Sequence, residues 1–134
     1  KFDDLRKAYN LEIYGAEDAK IALVMDKMGM PEEAAKYLGD YREFTENNHS
    51  IYRDLNFAVY YAYTGETQKA IDHMKLFAEQ DSYHYWIILF LNLDPLMENI
   101  KDLPEYQIVY RQIEDKFHRR HDALRKRLGE RGLI

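Results

Sequence analysis

His118 and His121 stand three residues apart with Asp115 and Asp122 beside them, the nearest approach to a set of metal ligands in the chain. At that spacing two imidazoles share one face of a helix. A metal site needs three or four converging ligands, and no cysteine is present to supply them. The expectation is a solvated polar face, with no metal and no other cofactor. The sequence has no HExxH zinc helix, no phosphate-cradling glycine loop, no dinucleotide turn and no kinase signature. Asp and Glu total 24, but no pair is set apart for acid–base work. Lack of cysteine also excludes thiolate nucleophiles and disulfides. No catalytic residue is expected, and the sequence points to binding rather than to an enzyme.

The charge is unevenly placed. Residues 116–134 carry seven Lys or Arg and two acids, a balance of +5, whereas residues 1–115 carry 12 and 22, a balance of -10. The basic patch is Arg119, Arg120, Arg125, Lys126 and Arg127. Clustered cations suit phosphate contacts. They are equally favoured at the C-terminal end of a helix, where the dipole is negative. The net charge of -5 runs against a nucleic-acid footprint. An acidic neighbouring domain or protomer is the favoured partner, and nucleic-acid contact is the weaker alternative.

The elements that position these residues read as helices. Apolar residues recur at helical spacing, and no stretch alternates with period two. Helices are expected over 3–14, 17–28, 31–47, 51–64, 67–80 and 81–92, the last well buried. A short helix or turn over 94–101 follows, then a long helix capped by Asp102 with Pro104 and Glu105 in its first turn. Its stripe is Tyr106, Val109, Tyr110, Ile113, Phe117, Leu124 and Leu128, and Gly129 or Gly132 ends it. Gly29 and Gly65 should close helices in the left-handed conformation. Pro31 belongs in the first turn of its helix, and Ser50 can cap the helix that starts near it. The longest apolar run, Trp86 to Leu91, is far short of the ~20 residues of a membrane span. No signal peptide is evident, and a cytoplasmic protein without membrane contact is expected.

Two segments repeat at a distance of thirty-six residues. Asp18, Ile21, Ala22, Met25, Gly29 and Ala34 recur as Asp54, Phe57, Ala58, Tyr61, Gly65 and Ala70. Leu38 and Tyr41 recur as Met74 and Phe77. A fixed period of this size marks a helical repeat array. The order of small residue, bulky residue, Gly and Ala resembles the tetratricopeptide repeat, most closely over Tyr61 to Ile71. Asp18 and Asp54 stand where that family prefers Trp, and its closing Pro is missing. The segment Asn92 to Tyr106 is similar to one that closes such arrays in bacterial multidomain regulators, cyclases and kinases. The resemblance implies an all-α fold: antiparallel helix pairs stacked as a tetratricopeptide-like right-handed superhelix with a C-terminal capping helix.

On that reading residues 1–134 form a single domain. Residues 1–15 are the remnant of a preceding repeat, with Phe2 and Leu5 in its slots. Repeats cover 16–48 and 50–81, a degenerate repeat covers 82–103, and 104–131 is the capping helix. The chain would be the C-terminal part of a larger bacterial signalling or transcriptional regulator. Its function would be to recognise a peptide or partner domain, another domain of the same chain or a homodimer mate. In the family, peptides lie along the first helices. The matching contact residues are Tyr52, Leu55, Val59, Ala62 and Tyr63, together with Leu23 and Lys27 in the first repeat. Packing under the capping helix is the alternative for these side chains. The charged clamp of the family is not matched at Ala19, Leu23, Leu55 or Val59. Tyr60, Tyr61, Tyr63, Tyr83, Tyr85 and Trp86 could form a binding surface, or fill the core with hydroxyls reaching water. A structural or dimerisation segment is the other functional reading.

Overall fold

Residues 4–5, 8–9, 15–81 and 83–134 are described by a computed structural model. Among them are six α-helices and no strand, so the fold is all-α. The chain divides into two compact units, residues 1–48 and 49–134, at the polar turn that contains Asn47 and Ser50. The expected remnant at 1–15 lies largely outside the described residues, and Leu5 within it is exposed.

The first unit is a helix pair. A 3-10 turn over Gly15–Glu17 leads into α1, Asp18–Lys27, and α2 follows over Pro31–Glu46. The two pack against each other, with Ala19, Ala22 and Met25 buried on α1 and Ala34, Tyr37 and Tyr41 on α2. Small residues let the axes approach closely. Pro31 occupies the first turn of α2, where its missing N–H leaves no bond unmade.

The second unit opens with the corresponding pair, α3 over Arg53–Tyr63 and α4 over Thr67–Glu79. The thirty-six-residue echo is reproduced in hydrogen bonds. Met30 N donates to Met25 O at 3.0 Å, and Glu66 N donates to Tyr61 O at 2.8 Å. Each bond spans a left-handed glycine, Gly29 with φ +74° and Gly65 with φ +81°. Such a bond satisfies a carbonyl that the helix end would leave unpaired, and only glycine takes this conformation without strain. Ala58 and Ala70 have no exposed surface, nor do Met74 and Phe77.

Beyond the pair, residues 83–103 form no further helix pair. They contain one short helix, α5 over Tyr85–Phe90, and 3-10 turns over Leu91–Leu93 and Pro95–Met97. The helix expected over 81–92 is cut short because the backbone is extended at Gln80 and His84. Asp94 caps the second turn, its carboxylate accepting from Leu96 N at 3.0 Å. Last comes α6, Pro104–Glu130, which packs on α4 through Tyr106, Val109, Tyr110 and Ile113. Asp102 does not cap it. Pro104 forces the preceding residue into extended backbone, so Leu103 takes the cap position and no side chain bonds there. Gly132, not Gly129, holds the left-handed turn that closes α6.

Candidate functional site

The expected groove along the first helices is not open in the second unit. Leu55, Val59 and Ala62 are buried, while Tyr52 and Tyr63 are half-buried. Chain from the 83–103 segment supplies the cover, rather than the last helix. The 95–97 turn packs on α3, and Asn99 donates its amide to the Ala62 carbonyl at 3.1 Å. Tyr52 is held by neighbours: its hydroxyl is bonded to His84 Nδ1 and accepts from His84 N at 3.1 Å. Its ring lies 5.7 Å from that of Trp86. In the first unit Leu23 is half-buried and Lys27 exposed.

The tyrosines also divide. Tyr83, Tyr106 and Tyr110 are core residues, as are Tyr37 and Tyr41 of the first unit. Tyr61 sits in a stack of its own helix pair, 6.0 Å from Phe57 and 5.5 Å from His73, which is bonded to Asp54 at 2.9 Å. Tyr85 and Trp86 are exposed.

These two belong to an apolar face. Tyr85, Trp86, Leu89, Phe90 and Leu93 each leave about half or more of their surface in water. Their spacing puts them on one side of α5 and the turn after it. Ile87, Ile88 and Leu91 fill the other side and are buried. A helix that is apolar all round is normally buried on every side.

The face continues onto α6. The Tyr85 ring stacks on Phe117 at 5.3 Å, and Phe117 stacks on His121 at 6.2 Å. Beside this stack lies a cleft of about 200 Å³ lined by Tyr83, Phe117, Leu124, Lys116, Arg120 and Asp81, with His121 at its edge. An adjoining groove shares His121 and Leu124 and runs on past Arg125 to Leu128, where the chain's own Ile134 also lines it. The floor is therefore aromatic and aliphatic, and its walls carry cations.

The position of this floor is fixed from α4. Lys116 donates its ammonium to the Ala78 and Gln80 carbonyls at the C-terminal end of that helix, where a cation also meets the negative end of the dipole. Arg120 bridges to Asp81 at 3.0 Å. Tyr83 donates its hydroxyl to Ile113 O at 3.0 Å, and Tyr110 donates to Ile88 O at 2.8 Å, tying the 83–90 segment to α6. Burial raises the Tyr83 pKa, against the opposing pull of Arg120 and Arg119.

His118 and His121 contact the Phe117 ring, one edge-on and one stacked. Among the described residues no three His, Cys, Asp or Glu side chains are grouped to hold an ion. No described helix is long and apolar enough to cross a membrane.

Tyr85 and Trp86 are recognisable in the sequence as surface candidates, but Leu89 and Phe90 are exposed where a well-buried 81–92 helix is expected, and Leu93 just after it is exposed too. The signal was available: Tyr85 to Leu91 has no charged residue on any side. That Tyr85 joins Phe117 beside the basic patch is not visible in the sequence, because the two meet only through the tertiary fold. Compared with family models, curated proteins and solved structures, the chain matches none.

Proposed function

We propose that this chain is a non-catalytic protein–protein interaction module of the tetratricopeptide-like kind, acting in the cytoplasm within a larger regulator. Its contact surface would be the face running from Leu93 and Trp86 through Tyr85 and Phe117 to Leu124. That exposed face is the observation that carries the reading, because one folded unit leaves five large apolar side chains of a single segment in water. Contiguous exposed apolar surface on a soluble chain marks an interface more often than not. Its composition of Trp, Tyr and flanking Arg is that of binding hot spots. The repeat resemblance supports the same class of function, with the contact moved off the buried first-helix groove. A structural or dimerisation role would use the same face, which a second copy could equally cover.

The test is quantitative co-isolation from the native host with full-length protein, comparing wild type with Trp86→Ala and Phe117→Ala. A specific protein lost by both variants, while Tyr60→Ala retains it, is the expected result. Identical partner sets for wild type and variants would refute the reading. Sedimentation of the purified chain separates the dimer alternative.

A further inference from the structure

The C-terminal half of α6 carries a second feature that the interaction reading does not by itself explain. Tyr106, Val109, Tyr110 and Ile113 are buried, but from His118 to Arg127 every residue is exposed. The helix nevertheless keeps an apolar stripe. With 3.6 residues per turn, Phe117, His121, Leu124 and Leu128 fall on one line along it. Arg120, Arg127 and Arg131 fall on one flank of that line, and Arg125 falls on the other with His118. The two acids of this stretch, Asp122 and Glu130, fall on the opposite side of the helix. So do Arg119 and Lys126, which leaves those two members of the basic patch away from the stripe. An Arg-edged apolar stripe about three turns long is half of a helix–helix contact. Its missing half is defined by complementarity: apolar residues at i, i+3, i+4 and i+7, flanked by carboxylates.

We infer that the Phe117–Leu128 stripe of α6 docks an acidic amphipathic helix of a partner protein or domain. The inference rests on the interaction reading above and names the partner for one end of that surface. Charge decides between occupants. Pairing the stripe with the same stripe of a second copy sets Arg against Arg, and like charges facing each other oppose that pairing. A nucleic-acid strand would find the Phe117 ring already stacked on Tyr85 and His121, and beyond it Leu124 and Leu128 rather than rings, on a chain whose net charge is -5. Carboxylates on both flanks of a partner stripe would pair with Arg125, Arg127 and Arg131, since Lys116 and Arg120 already serve the α4 terminus and Asp81, and they steer its approach as well.

Fluorescence anisotropy with a labelled probe tests this. The probe is a capped peptide of about 18 residues, long enough for measurable helicity, with Leu along one face and Glu on its flanks. A twin carries Lys for every Glu. The acidic peptide should bind, with affinity falling as salt rises from about 50 to about 200 mM. The Lys twin should bind at least about tenfold more weakly. Leu124→Glu should abolish binding with the helical circular dichroism unchanged, since that side chain is already more than half exposed. Arg127→Glu combined with Arg131→Glu should reverse the preference, so that the Lys twin becomes the tighter ligand.

Equal binding of the two peptides would overturn the proposal, because the stripe would then be reading apolar surface alone. Failure of the acidic peptide to bind overturns it too. So does a dimer seen by sedimentation that the peptide does not dissociate, or displacement of the peptide by an equimolar single-stranded oligothymidine. In those cases the wider interaction reading stands or falls separately on the Trp86→Ala and Phe117→Ala co-isolation.

Discussion

Tyr106→Phe should stabilise the protein. The Tyr106 ring is fully buried between α6 and the core of the second unit, and its hydroxyl has no hydrogen-bonding partner in the protein. A buried hydroxyl without a bond costs about 1–3 kcal/mol of desolvation. Deleting one oxygen opens too little space to cost as much in packing. The expected gain is about 1 kcal/mol, or about 3–5 °C in Tm. Tyr110→Phe is the control, because that hydroxyl donates to Ile88 O and its loss strands a buried carbonyl. It should destabilise by about 1 kcal/mol. Alkaline pH gives a second readout. Burial holds the Tyr106 pKa far above its ordinary value and raises those of Tyr110 and Tyr83 as well. Above about pH 10 the unfolded chain loses these protons before the folded chain does, so stability falls as pH rises, by up to about 1.4 kcal/mol per pH unit for Tyr106 and in the same direction for Tyr83 and Tyr110. Tyr106→Phe should remove one such contribution and flatten the fall. Urea denaturation followed by circular dichroism between pH 7 and about 11 measures both effects. The reasoning is refuted if Tyr106→Phe is destabilising at pH 7, or if its slope above pH 10 equals that of the parent.

Three further changes probe the frame: one at a turn, one inside a helix and one at a helix end. Gly65→Ala forces φ +81° on a residue with a Cβ, and nothing within 4 Å of that Cβ adds a clash, so the cost is strain alone, about 1–2 kcal/mol by urea titration. Gly39→Ala lies in the exposed interior of α2 with equally open space, and the same assay should show a gain of about 0.5–1 kcal/mol. Lys116→Met removes the donor that bonds the Ala78 and Gln80 carbonyls, and should destabilise by about 1–3 kcal/mol while loosening Asp81 and Tyr83 in hydrogen exchange. An unchanged midpoint would show that water replaces the lysine at no cost.

The parts of the fold legible in the sequence are those with local causes. Gly29 and Gly65 end helices because each terminus needs a left-handed residue, and that requirement is written in one position. Pro31 and Pro104 start helices for an equally local reason. The groove pattern that marks Leu55, Val59 and Ala62 assumes another helix pair after Glu79. The chain instead passes through Asp94, Pro95 and Asn99, and that irregular turn meets α3. Nothing in the spacing of Leu55 and Val59 reveals what a non-repeating segment thirty or more residues later will cover. Asp102 failed as a cap for a subtler reason: Pro104 fixed the conformation of Leu103 and so moved the helix start by one residue.

The basic end of the chain shows the same limit from the other side. Seven cations in nineteen residues look, in sequence, like a solvated helix end, and Lys116 and Arg120 do serve the α4 terminus and Asp81. That use accounts for two. Arg125, Arg127 and Arg131 lie farther along a helix that is about 40 Å long, past the last residue it buries. Leu128 serves the closing turn of α6, where its carbonyl accepts from Leu133 N at 3.0 Å across Gly132, but helix stability gives no reason to place Leu124 in line with Phe117. An isolated helical end of this length is marginal in water without packing. On the proposal above, the apolar residues kept in register along this unburied half-helix, with Arg at both edges, are the half of a contact that a second helix would complete. That argument depends on the register, so inserting one alanine between Arg120 and His121 should abolish acidic-peptide binding while α6 remains helical.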